Sequence, residues 1–190
     1  MSAEHEQDPL VRITRQRPQA VCAALELEPE TQELLAGDPA PAPFLSALIQ
    51  KELFADAVRY LAHALPQADA VAWACDCVPL GRELSDKARA ALACAEAWCH
   101  EPNEKHCRAA EQAAEASDDV AARFAASAAF WSGESIAPAD LPVVPPPAGA
   151  TGMGVHAALL LAATSAPPAE IPDRFRKFLS HGILIARTPL

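Results

Sequence analysis

Two Cys-His pairs, Cys99-His100 and His106-Cys107, are the residues of this 190-residue chain whose types could hold a metal, with Cys75-x-Cys77 as a further source of thiolate. Zinc takes four nitrogen and sulfur ligands in a tetrahedron, and the two pairs supply that number. Geometry works against them. Neighbouring residues on a helix diverge by about 100°, so both members of a pair can ligate only within the loop around Pro102, and Cys75 and Cys77 fall on opposite faces of their helix. No spacing matches the ligand patterns of known sites. The residues therefore read as packed thiols and surface histidines with no cofactor. A metal-dependent or thiol enzyme using the Cys/His set around residues 75–107, with Cys99, His100, His106 and Cys107 as the metal ligands, is the alternative.

Nucleophilic chemistry needs a nucleophile, a base and an orienting group within hydrogen-bond reach. Cys75 with His63 and Asp69 or Asp76 is the local set that offers all three. A thiol among valine and alanine on a helix is kept protonated by burial, which argues for an inert Cys75. Gly152-x-Gly154 lacks the following glycine and the preceding strand of a phosphate loop. Asp69 and Asp76 stand seven apart, the spacing of one solvated stripe. No catalytic constellation is expected, and the chain reads as a non-enzyme.

The elements carrying these residues read as helices, because the chain is rich in alanine and its aromatics amount to 5 %, whereas strands favour β-branched and aromatic residues. Phe54 to Val78 organises the rest, as two helices hinged at Leu65-Pro66. Val71, Ala74, Cys75 and Val78 form one apolar face and Ala70, Trp73 and Cys77 another, the mark of a central helix. Before the hinge, Glu52 to Leu65 turns Phe54, Val58, Leu61 and Leu65 inward and places Asp56, Arg59 and His63 on the opposite stripe.

Ser85 is placed to cap a helix whose Ala88, Ala91, Leu92, Ala95 and Cys99 face the core. Pro102 starts the next, with Cys107, Ala110, Ala113 and Ala114 inward and Glu104, Arg108, Glu111 and Glu115 in water. Val120 to Trp131 is a second central helix, with Val120, Phe124, Ala128 and Trp131 on one face and Ala121, Ala125 and Ala129 on another. Gly133 ends it. Trp73, Trp98, Phe130 and Trp131 read as core anchors, and their unequal separations argue against a solenoid.

The remainder frames this body. Residues 1–17 are polar and expected to be loose. Short helices near Val21 and from Thr31 to Leu35 follow, closed by Gly37 and an extended Asp38–Pro43 connection. The expected organisation is a single-domain, all-α bundle of antiparallel helices over 43–190, with an N-terminal arm at 1–42. The proline-rich stretch 136–150 is a surface strap. Two C-terminal helices are expected at 152–164 and 172–181, the second stopping at Gly182 and leaving Ile183 to Ile185 as an apolar tail.

A formal net charge of -10 argues against nucleic acid, whose binders need a basic face. Arg174, Arg176 and Lys177 read as a solvated helix face. No signal-type apolar region is visible at the start, and the run Val155 to Ala163 is far shorter than the ~18–20 residues of a membrane span. The expectation is a cytoplasmic protein without membrane insertion, its six cysteines reduced and mostly buried. Stoichiometry is not legible.

Arg59-Tyr-Leu-Ala-His-Ala-Leu-Pro66, Trp73-Ala-Cys75, Ala95-Glu-Ala-Trp98 before Pro102, Ala128-Ala-Phe-Trp-Ser-Gly133 and Arg174-Phe-Arg-Lys-Phe-Leu179 before Gly182 together resemble an uncharacterised family of small, helical bacterial proteins. The likeness covers most of the chain from Pro43 onward. Some members are encoded beside type VI secretion genes, so the resemblance implies a bacterial cytoplasmic protein that is an accessory to secretion. Loops held on a rigid scaffold carry binding more often than core helices do. The expected function is therefore a non-catalytic adaptor that binds a protein partner through Phe130, Trp131, Ser132 and Gly133 with Pro145, Pro146 and Pro147.

Overall fold

Alternating apolar faces and caps divide the chain into ten α-helices in a computed structural model whose described residues are 10–13, 17–138 and 140–189. They are α1 (Pro18–Cys22), α2 (Pro29–Leu35), α3 (Pro41–Gln50), α4 (Phe54–Ala64), α5 (Gln67–Cys77), α6 (Asp86–His100), α7 (Glu104–Ala116), α8 (Val120–Phe130), α9 (Ala150–Thr164) and α10 (Ile171–Arg187). The fold is all-α and forms one domain. The side chains of Ser85, Asn103 and Asp119 accept the backbone N–H groups of Ala88, His106 and Ala122 at 3.1, 2.9 and 2.9 Å. Each such cap stabilises its helix by about 1 kcal/mol. Asn103, not Pro102, therefore fixes where α7 begins.

α5 is the central helix. Ala70, Val71, Trp73, Ala74, Cys75 and Cys77 are each at most 1 % exposed. The indole Nε1 of Trp73 donates to Phe178 O at 2.8 Å, which pins α10 to α5. α10 does not stop at Gly182 but runs through it to Arg187. A Cβ at Gly182 would stand 2.7 Å from both Leu61 Cδ2 and Trp73 Cε2, so this glycine permits a close helix approach instead of ending a helix. Ile183 and Ile185 belong to the same helix and are half-buried.

α8 presents its alanines to the core. Ala121, Ala122, Ala125, Ala126, Ala128 and Ala129 are at most 2 % exposed, whereas Val120 is 48 % exposed, and Phe124 and Trp131 are half-buried. The larger side chains expected inside thus lie outside or at the margin. Small residues let neighbouring helices approach closely: a Cβ at Gly154 of α9 would stand 2.9 Å from Ala128 Cβ.

The N-terminal part is docked where it is described. Ile13 is 4 % exposed, Arg12 N–H donates to Ala186 O at 2.9 Å, and the Arg12 guanidinium pairs with Asp69 at 2.7 Å. Residues 1–9 and 14–16 of the expected loose segment lie outside the described residues. Asp38, with φ 48°, takes the left-handed turn expected of Gly37, and α3 already starts at Pro41. Asp56 is buried, 2 % exposed, against the residue that precedes α2: it accepts Glu28 N–H at 3.0 Å and pairs with Arg59 at 3.4 Å. It does not share a wet stripe.

Of the basic group of α10, Arg176 and Lys177 are exposed as expected, while Arg174 and Arg176 also make contacts. Arg174 donates to Ala162 O at 3.2 Å and Gly81 O at 3.4 Å. Arg176 bonds Asp173 and Glu52 at 2.9 and 2.5 Å and lies 5.1 Å over the Phe54 ring. Both sit in the first half of α10 and tie it to its neighbours, so helix-dipole complementation at a C-terminus does not describe them. Among the described residues no helix is long and apolar enough to cross a membrane.

Candidate functional site

The end of α8 makes a tight corner. Ser132 N–H donates to Ala129 O at 3.2 Å and Gly133 N–H to Phe130 O at 3.1 Å, tightening the last turn as helix ends commonly do. Gly133 is required by space, since a Cβ there would lie 2.9 Å from Cys107 Sγ. Ser132 Oγ donates to Ala128 O at 2.8 Å and lies 2.9 Å from Thr151 Oγ1, which accepts from Gln67 Nε2 at 3.1 Å. This short chain of hydrogen bonds joins the corner to α9 and α5.

Beyond the corner, Ser135 and Ile136 are joined to Val144, which closes the loop between them. Ile136 N–H donates to Val144 O at 2.8 Å, and Val144 N–H to Ser135 Oγ at 3.1 Å. Arg108 of α7 holds this loop. Its Nη2 donates to Ser135 O at 3.0 Å and Ala137 O at 2.5 Å, its Nε and Nη1 to Glu104 and Glu111 at 2.6 and 3.1 Å, and its plane lies 5.3 Å from the Phe130 ring centroid. Hydrogen bonding to Glu104 raises its pKa further. Arg108 was expected in water; instead its planar fork serves four acceptors at once, which lysine cannot do.

The closed loop carries Leu141, Val143 and Val144 at 56, 71 and 46 % exposure. Between it and the start of α7 runs an open groove of about 500 Å³ walled by Trp98, Pro102, Pro138, Leu141 and Val143, with Ser132 and Gly133 at its inner end. Of the expected contact residues, Phe130 is buried beneath Arg108, Trp131 and Ser132 are half-buried, and Pro145 and Pro147 are exposed with Pro146 half-buried. The prolines lead away from the groove to Gly149, whose φ of 78° opens α9. Sequence reasoning missed Leu141 and Val143, although three large apolar residues within a proline-bound loop are the available signal.

The cysteines and histidines do not converge. Cys107 Sγ points at Ala129 O, 3.8 Å away in the α7–α8 core, whereas His106 Nδ1 lies 2.8 Å from Glu101 O. Cys75 Sγ faces Leu92 O at 3.8 Å; His63 packs against Gly149 and Gly152. Burial pushes the Cys75 thiol well up, and Cys77 and Cys99 up to about 12. Among the described residues no three His, Cys, Asp or Glu side chains group as metal ligands. Two associations escaped the sequence. Cys77 Sγ lies 3.7 Å from His181 Nδ1. His156, with a buried, unpartnered Nε2, is held down to about 4 by burial, then by Arg59 and His63.

Residues 44–186 match the Family of unknown function (DUF6931), and the chain belongs to that family. No curated protein and no solved structure matches it.

Proposed function

We propose that this family member is a non-catalytic accessory or adaptor protein that binds another protein through the α8 corner and the loop clamped beside it. The observation that carries the reading is the exposure of Leu141, Val143 and Val144, at 56, 71 and 46 %, on a backbone fixed at both ends. Exposed apolar side chains on an ordered loop are what a partner buries, and ordering them beforehand lowers the entropic cost of binding. The enzyme alternative draws no comparable support, because Cys75 is buried, Cys99 is half-buried, and both thiols are raised in pKa. Thiolate, not thiol, is the reactive form.

The resemblance to proteins encoded beside type VI secretion genes supports a bacterial, cytoplasmic setting and a secretion component as partner. The test is affinity capture from the source organism with quantitative mass spectrometry, comparing the native chain with Leu141→Asp and Val143→Asp. Both substitutions sit on exposed side chains, so folding is expected to hold. Loss of a captured secretion component from both variants is the expected result. Unchanged capture by both refutes the binding surface, and capture of proteins unrelated to secretion refutes the assigned setting.

A further inference from the structure

The groove beside the clamped loop is lined by large apolar residues together with polar ones, and the acids in and next to its lining outnumber the free cations. Glu104 and Glu134 line it, and Glu101 and Asp140 are exposed and adjoin the lining residues Pro102 and Leu141 in the chain. Glu104 is matched by Arg108. Glu101, Glu134 and Asp140 take part in no ion pair among the described residues.

The cations nearby offset these acids only in part. The guanidinium of Arg108 is committed to Glu104, Glu111, Ser135 O and Ala137 O. His106 is engaged with Glu101 O through Nδ1. Lys105, exposed on the first turn of α7, is the remaining rim cation. A partner with acidic flanks would meet like charge here, and a neutral one would leave the acids to be desolvated without compensation.

Resting on the protein-binding reading above, we infer that the groove takes a basic, apolar-anchored segment of the partner: an aliphatic or aromatic side chain seated against Trp98, Pro102, Leu141 and Val143, with lysine or arginine residues flanking it over Glu101, Glu134 and Asp140. The apolar anchor supplies affinity and the flanking cations supply orientation and speed of encounter. Such a complex weakens with salt, because the rim charges are solvent-exposed and screened over about 10 Å at 0.1 M ionic strength.

A random peptide library displayed on phage and selected on the full chain tests this. Enriched peptides should carry an aliphatic or aromatic residue between lysines or arginines. Synthetic copies should lose about tenfold in affinity to the Glu101→Lys/Glu134→Lys variant and lose binding to Val143→Asp. Enrichment of neutral or acidic peptides, affinity indifferent to the two lysine substitutions, or no enrichment at all overturns the basic-segment inference. If Val143→Asp and Leu141→Asp leave peptide binding intact while the lysine substitutions weaken it, the apolar anchor falls and the loop surface falls with it. Circular dichroism melting of each variant identifies any that is unfolded; Glu134→Gln, which removes the charge alone, then stands in for the lysine pair.

Discussion

Nη2 of Arg108 donates to the carbonyl oxygen of Ala137 at 2.5 Å, fastening the loop after α8 to the first turns of α7. With the bond to Ser135 O and the contact with Phe130, one side chain anchors the start of the loop that carries the exposed apolar residues. Arg108→Lys keeps a charge but loses the fork, and should cost on the order of 1–2 kcal/mol. Amide hydrogen exchange should accelerate in residues 135–144 and stay unchanged in α5. Unchanged exchange in the loop would show that Arg108 does not hold it.

Gly182→Ala inserts a methyl group 2.7 Å from Trp73 and Leu61. Alanine ordinarily improves a helix interior by about 0.5–1 kcal/mol, but overpacking a core costs about 1–3 kcal/mol. The net expectation is destabilisation of about 1–2 kcal/mol in urea unfolding. Gly37→Ala is the control, since its Cβ would meet nothing nearer than Leu34 O at 3.9 Å, and should be neutral or slightly stabilising. Equal effects at both sites would contradict the close-approach role of Gly182.

His156 is held down to about 4 from the ordinary 6.5 by burial beside Arg59 and His63, with Asp56 acting the other way. Below pH 6.5 the unfolded chain takes up a proton that the folded chain refuses until about pH 4. Its contribution is therefore complete above pH 6.5 and declines as pH falls toward 4, by on the order of 2 kcal/mol allowing for partial exposure. His156→Gln should flatten this part of the stability profile between pH 4 and 6.5, measured by denaturant titration at each pH. Parallel profiles for both proteins would contradict it.

Thiol reactivity should follow burial. Cys75, Cys77 and Cys107 are at most 2 % exposed and raised in pKa, burial being the first cause for each. Iodoacetamide at pH 8 should modify the half-buried Cys94 well before these three, as peptide mass mapping over time would show. Preferential labelling of Cys75 would instead revive the thiol-enzyme reading.

The helices and the Ser85 cap were legible because local chemistry decides them: Ser85 accepts Ala88 N–H within its own first turn, whereas α7 is capped by Asn103 and not opened by Pro102. The corner was legible because Gly133 weakens a helix and the prolines that follow cannot continue one. Other features depended on contacts distant in sequence. Gly182 reads as a stop until Leu61 and Trp73 are seen against it. Asp56 reads as wet until Glu28 N–H covers it, and Arg108 reads as solvated until Ser135 and Ala137 turn their carbonyls toward it. On α8 both faces were expected inside; the alanine face is, but close helix packing leaves Phe124 and Trp131 half-buried and Val120 exposed.

The most direct measurement is site-specific photo-crosslinking in living cells of the source organism, with a photoreactive amino acid in place of Val143 or of Leu184. Both side chains are more than half exposed, at 71 and 61 %, and they lie on different elements, the clamped loop and α10. A discrete partner adduct is expected from position 143 and none of the same kind from position 184. Adducts from 184 alone, or the same adducts from both positions, would contradict the loop and its groove as the binding surface.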